Sequence, residues 1–211
     1  MKNNRFKSMA SSYFLGAILL ICGAFTAACD SAPPPRAMDD STNSVSAQRQ
    51  QKPIPPRDQQ AIESASNVQV KNLDGGSFKL SDFRGKVVVV DFWATYCPPC
   101  VRLVPQLAEL SKKYRDQGLE VVGLTFDDEA DQKKVHDFLK NAGADYTAGY
   151  DNHWISPAFL KGTEDENGNQ PIPQVFVISR DGRVVDHFIG ENPQRGIKDL
   201  EQVVSIQLAS R

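Results

Sequence analysis

Cys97-Pro98-Pro99-Cys100 is the part of this 211-residue chain whose residue types and spacing could do chemistry. Two cysteines three residues apart can close a small disulfide ring, and they fall between an apolar run at 87–93 and a helical pattern that starts at once. A thiol at a helix start meets unpaired backbone N–H groups and the positive end of the helix dipole. Its thiolate is favoured there, and CxxC thiols in such places have pKa values of roughly 3.5 to 7.5. Cys97 is therefore expected to attack, or be attacked, first. Cys100, one turn further in, would resolve the mixed disulfide by attacking Cys97. A structural staple is the poorer reading, because so small a closed loop takes little entropy from the unfolded chain.

Pro98 and Pro99 stiffen the turn and remove two backbone donors near Cys97. The thiolate is then less stabilised and the disulfide less oxidising, which points towards a reductant. Other uses of a CxxC pair lack their remaining parts. Outside the N-terminal segment there is no second cysteine pair, and His136, His153 and His187 are scattered without ligand spacing, so no metal site is expected. Covalent haem would need His after Cys100, where Val101 stands. No cofactor is implied beyond the cysteine pair itself.

The elements that must hold these residues can be read from periodicity. Residues 68–70 and 77–80 alternate around Asp74-Gly75-Gly76 as a hairpin. Buried strands are predicted at 86–93 and 119–126, helices at 98–117 and 129–142, a second hairpin from 174–179 and 183–189, and a closing helix at 193–208. This is an α/β layer order with a parallel core and an antiparallel edge. Reactive groups in such sheets sit at the C-terminal ends of the strands, where Cys97 falls.

The run Asp91-Phe92-Trp93-Ala94-Thr95-Tyr96-Cys97-Pro98-Pro99-Cys100, with Pro105 after it and Ile172-Pro173 before a late strand, resembles the thioredoxin superfamily. Within it, the chain is most similar to extracytoplasmic tethered reductases of the TlpA and ResA kind, the cytochrome c biogenesis thioredoxins. The lead-in Leu80-Ser81-Asp82-Phe83-Arg84-Gly85-Lys86 and the extra elements before Ile172 fit that group as well. The resemblance spans about 67–211 and implies a thioredoxin-like fold, a central mixed sheet flanked by helices, with an N-terminal hairpin and a central insertion.

By the same resemblance, Asp91 matches the internal Asp that moves the proton of Cys100, although tethered reductases more often carry Asn there. Burial would raise its pKa and suit it to accept that proton. Pro173 matches the cis-proline facing the disulfide, and the backbone of Ile172 would pair with a substrate peptide. Gln174 stands where Thr is usual, a change expected to alter substrate choice. Asp128 aligns with an acidic residue that tunes the cysteine pair, against the plainer reading of Asp127, Asp128 and Glu129 as helix-capping carboxylates. Trp93 is expected in the core and Tyr96 at the rim of the active-site environment that Pro98 and Pro99 complete. The segment 158–170, with Glu164-Asp165-Glu166 and Asn167-Gly168-Asn169, is long for an approach to the cis-proline and is expected to shape partner recognition, or else to be a solvated loop.

The N-terminus sets the compartment. Lys2, Arg5 and Lys7 precede an apolar stretch at 13–25, and Thr26-Ala27-Ala28 ends it before Cys29. This reads as a cleaved export signal at 1–28. The small residues before Cys29 resemble a bacterial lipobox, which implies a lipid on Cys29; a plain secretory signal or an uncleaved anchor are the alternatives. Residues 29–66 are rich in Pro, Ser and Gln without apolar periodicity, so a disordered tether is expected. Loss of 1–28 removes three basic residues and no acidic one, moving the formal charge from −2 to −5, which offers no footprint for nucleic acid.

These features together predict a membrane-tethered thiol:disulfide oxidoreductase outside the cytoplasm, in the bacterial periplasm. It would reduce disulfide-containing protein substrates, apocytochrome c among them, and draw electrons from a transmembrane donor protein. An oxidase or isomerase on the same scaffold is the alternative within the class. A tethered binding module or chaperone is the alternative outside it.

Overall fold

A strand with no polar position to turn towards water needs cover on both faces. All seven residues of Val87–Trp93 are buried, and the element order supplies that cover. The computed structural model describes residues 56–151, 153–190, 192 and 195–210, with side chains from residue 59. The predicted signal, Cys29 and the tether as far as residue 55 lie outside the described residues.

In chain order the elements are α1 (Pro56–Ser66), β1 (Val70–Lys71), β2 (Ser77–Phe78), β3 (Val87–Trp93), α2 (Pro98–Tyr114), β4 (Leu119–Thr125), α3 (Gln132–Asn141), β5 (Thr147–Tyr150), α4 (Ser156–Leu160), β6 (Gln174–Ile178), β7 (Val184–Ile189) and α5 (Ile197–Ala209). The five-stranded sheet runs β5-β4-β3-β6-β7. β3, β4 and β5 are parallel, and β6 and β7 are antiparallel to their neighbours. It is an α/β thioredoxin-like fold with a small N-terminal hairpin of β1 and β2.

Alternation along β3 divides the core in two. Val87, Val89 and Trp93 pack with α2, α3 and α5 in the cluster that includes both cysteines. Val88, Val90 and Phe92 pack on the other face with Ile62 and Ala65 of α1 and Phe159 and Leu160 of α4. The hairpin closes over the β5 edge at Gly149, where an added Cβ would sit 2.6 Å from Val70 Cγ1 and 2.7 Å from the Lys71 carbonyl oxygen. No side chain fits that approach.

Two boundaries differ from the sequence expectation. The tether was expected to run to residue 66, but Pro56–Ser66 is helical, with Ile62 1% exposed. Ile62 and Ala65 give a stripe too narrow to announce itself. The helix is also held through tertiary bonds, since the Gln59 side chain donates to the Gly182 carbonyl at 3.0 Å and accepts from the Val184 N–H at 3.1 Å. The long segment expected from 158 begins inside α4, whose start is set by buried Asp151 accepting from the Ser156 N–H at 3.1 Å and hydroxyl at 2.5 Å.

Candidate active site

β3 ends at Trp93, and four residues later Cys97 takes the N-cap position of α2 in an extended conformation, with Pro98 and Pro99 in the first turn. Neither proline has an N–H, so Cys100 carries the first donor of this helix. That N–H points to Cys97 Sγ at 3.2 Å, and the Val101 N–H closes the turn on the Cys97 carbonyl at 3.0 Å. The two sulfurs form a disulfide. Cys97 keeps 6% of its surface exposed and Cys100 none, so an incoming thiolate reaches Cys97.

The Ile172–Pro173 peptide is cis and faces this disulfide. The Ile172 carbonyl oxygen lies 3.5 Å from Cys97 Sγ, and the Gly190 N–H donates to the Pro173 carbonyl at 2.7 Å. Tyr96 is exposed beside the pair, whereas Trp93 is fully buried with its ring 5.3 Å from that of Phe138. A groove of about 400 Å³ opens from Pro99 and Pro173 and is floored by Leu103, Val175, Phe188 and Leu200.

Asp91, on β3 between Val89 and Trp93 of the core cluster that holds both cysteines, is paired in register with Gly123 and Val175 and 0% exposed. It shares the face of Val89 and Trp93 by alternation. Neither carboxylate oxygen has a hydrogen-bond partner among the described residues, and burial pushes the pKa up to about 8. A carboxyl in this state is protonated at neutral pH and becomes a base just above it. Gly123 opens the space next to it: a Cβ there would come 3.0 Å from Trp93 Nε1 and 3.2 Å from the Tyr146 ring. Tyr146 is itself buried, and first its burial and then the charge of Asp91 raise its phenol well above the ordinary value.

Asp128 is not part of this cluster. Its carboxylate is exposed and accepts from the Ala130 N–H at 3.0 Å, capping the short turn Glu129–Asp131. This is the capping geometry of the plainer reading of these carboxylates. The carboxylate that does reach the active-site loop is Asp127, for which the sequence suggested only a cap. It is 6% exposed and accepts from the Thr95 N–H at 2.8 Å, from the Thr95 hydroxyl, and from the Thr125 hydroxyl at 2.6 Å. Alternation could have found it, since Val121, Gly123, Thr125 and Asp127 share a parity that faces α2. No group of three or more His, Cys, Asp or Glu side chains able to hold a metal occurs among the described residues.

A family model described as Redoxin matches residues 59–204. The thiol-disulfide oxidoreductase ResA of a Bacillus cereus strain is 31% identical over 143 residues, 67% of this chain and 76% of that protein. ResA of Bacillus subtilis (strain 168) is 28% identical, over 66% of this chain and 73% of its own length. Among solved structures, a thiol:disulfide interchange protein of the thioredoxin family from Chlorobium tepidum TLS superposes with a TM-score of 0.57 at 27% identity, covering 67% of this chain and 93% of that one.

Proposed function

The chain belongs to the redoxin family of the thioredoxin superfamily and is a ResA-like thiol-disulfide oxidoreductase, and from that premise we propose that it reduces disulfides of exported proteins, apocytochrome c among them. The observation that carries this reading is the Cys97–Cys100 disulfide at a helix start, set against the cis Ile172–Pro173 peptide, with a buried Asp91 unpartnered among the described residues on the strand that leads to it.

In the dithiol form the Cys97 thiolate attacks one sulfur of the partner disulfide. A Cys97–partner bond forms and the other partner sulfur leaves as a thiolate. Asp91 in its ionised form, the minor one at neutral pH, accepts the proton of Cys100, whose thiolate attacks Cys97 Sγ and expels the second partner sulfur. Two electrons pass to the partner, and the chain is left as the disulfide described above. A membrane dithiol protein of the same chemistry must return those electrons, because the compartment is oxidising.

The helix start supports the reductive direction. Pro98 and Pro99 leave Cys100 as the first donor to Cys97 Sγ, so the thiolate has fewer N–H partners than an ordinary first turn would give. Export by residues 1–28, retention at the membrane by a lipid on Cys29, and a tether from there to α1 complete the proposal. Mass spectrometry of the membrane-extracted chain should find a diacylated N-terminal Cys29; a chain ending in free Cys29 or keeping residues 1–28 would remove the lipoprotein part.

Equilibration of the chain from residue 30 onward against a dithiol buffer tests the direction. A reduction potential near −270 mV supports the reductase, and one near −120 mV makes the protein an oxidant. Cys97→Ser should abolish cellular function; retention of full function would favour a tethered binding module or chaperone instead.

A further inference from the structure

Gln174 is fully buried, on a sheet face otherwise filled by Phe92, Phe159 and Phe176. An amide in such surroundings costs stability unless every polar atom is paired. Here each is. Nε2 donates to the Pro171 carbonyl at 2.8 Å and to the Thr163 hydroxyl oxygen at 2.9 Å, and Oε1 lies 2.8 Å from His187 Nε2. Both amide hydrogens are committed, so Oε1 must accept, and His187 carries its proton on Nε2. His187 is held in turn by its ring stacked 4.0 Å from that of Phe176.

The bond to Pro171 has a directional consequence. In a trans peptide the carbonyl and the following N–H point opposite ways. Drawing the Pro171 oxygen inward onto Gln174 therefore turns the Ile172 N–H outward, on the residue whose own carbonyl oxygen stands 3.5 Å from Cys97 Sγ. The second bond reaches Thr163, whose hydroxyl is within 2.6 Å of the Leu160 carbonyl and 2.8 Å of Gln170 Oε1. One side chain thus joins the peptide before Ile172, the segment that leads from α4, and β7.

Resting on the oxidoreductase reading above, we propose that Gln174 is a positioning residue for partner recognition: through the Pro171 carbonyl and Thr163 it aims the Ile172 backbone at a polypeptide carrying the target disulfide. It acts on capture of an extended peptide and leaves sulfur exchange itself alone. A small disulfide without a backbone has nothing to pair with Ile172 and does not sense Gln174.

The test compares two disulfides on the full chain: a synthetic peptide closed by a Cys-x-x-Cys disulfide, and 2-hydroxyethyl disulfide. Gln174→Leu should raise KM for the peptide about tenfold, the loss of roughly one hydrogen bond. Its kcat, the rate with 2-hydroxyethyl disulfide and the reduction potential should stay as in the wild type. Thr163→Val, a change at a half-buried position, should raise the peptide KM about threefold, and it carries the test alone if Gln174→Leu does not fold. Equal losses with both disulfides, or an unchanged peptide KM in the variants, would overturn the proposal. A wild-type chain inert towards both disulfides would instead overturn the oxidoreductase reading, and this inference with it.

Discussion

Neighbouring residues of one strand, Asp91 and Phe92, serve opposite faces of the sheet, and the two faces are built on different terms. The Phe92 face is aromatic and closed. Its ring lies 5.6 Å from Phe159 and 5.9 Å from Phe176, which are 5.2 Å from each other, and its buried amide, Gln174, has all its bonds made. The Asp91 face carries the disulfide and keeps buried polar atoms that lack partners among the described residues, namely both oxygens of Asp91, Trp93 Nε1 and the hydroxyls of Tyr146 and Tyr150. Leaving such groups unpaired costs of order 1–3 kcal/mol each. One face holds the sheet together, and the other gives up stability to keep a buried carboxyl in the core that holds the cysteine pair.

The aromatic face should show the largest stability effect. Phe176→Ala removes the centre of that cluster and should lower unfolding free energy by about 3–5 kcal/mol in denaturant titration. The reduction potential, read on the folded variant, should not move. A shifted potential would mean that the two faces are coupled rather than separate.

Asp91→Asn should move stability the other way, by a few kcal/mol at pH 7. With a folded pKa of about 8 against an ordinary carboxylate in the unfolded chain, both states hold the proton below about pH 4. Between roughly pH 4 and 8 the unfolded state has lost it and the folded state has not. Stability contributed by the protonated group therefore falls as pH rises, by about 1.4 kcal/mol per unit, and levels off above the folded pKa. His187 has the opposite slope: burial lowers its pKa to about 4, so stability is lost as pH drops from about 6.5 towards 4. The two tend to cancel below pH 6.5, and the Asp91 slope should stand clear from pH 6.5 to 8. Asp91→Asn should flatten it and slow release of the mixed disulfide roughly 100-fold. A variant with the wild-type slope would show that Asp91 is not the proton holder.

Much of this arrangement was legible because its signals are local. Four valines in a row before Asp91 can only be a buried strand, and two prolines after Cys97 fit a first helical turn, where missing N–H groups are tolerated. α1 was not legible because its stability is tertiary: a mostly polar helix is held by Ile62, Ala65 and the bonds of Gln59 to the β6–β7 turn. β5 escaped for a related reason, being a four-residue edge strand whose Gly149 reads as a breaker until the hairpin is seen lying on it. The role of Gln174 needed the structure too, since its partners are a carbonyl, a hydroxyl and a ring brought together from three elements.

The carboxylates Asp127 and Asp128 offer the finest form of the contrast between an inward and an outward position. Asp127→Asn keeps the shape but gives one carboxylate oxygen's place to an amide nitrogen, which cannot accept from Thr95 or Thr125. With two donors on the active-site loop and one at the end of β4 engaged, about 1–2 kcal/mol of stability should be lost, and exchange at Cys97 should slow as Thr95 loosens. Asp128→Asn keeps an oxygen able to accept from the Ala130 N–H, and Asn caps about as well as Asp, so stability should change by less than about 0.5 kcal/mol. Its exchange rate and reduction potential should match the wild type. If the Asp128 variant shifted the potential while the Asp127 variant did not, the exposed carboxylate would have to act on the cysteine pair in the dithiol form, and the parity that separates these neighbours would lose its functional meaning.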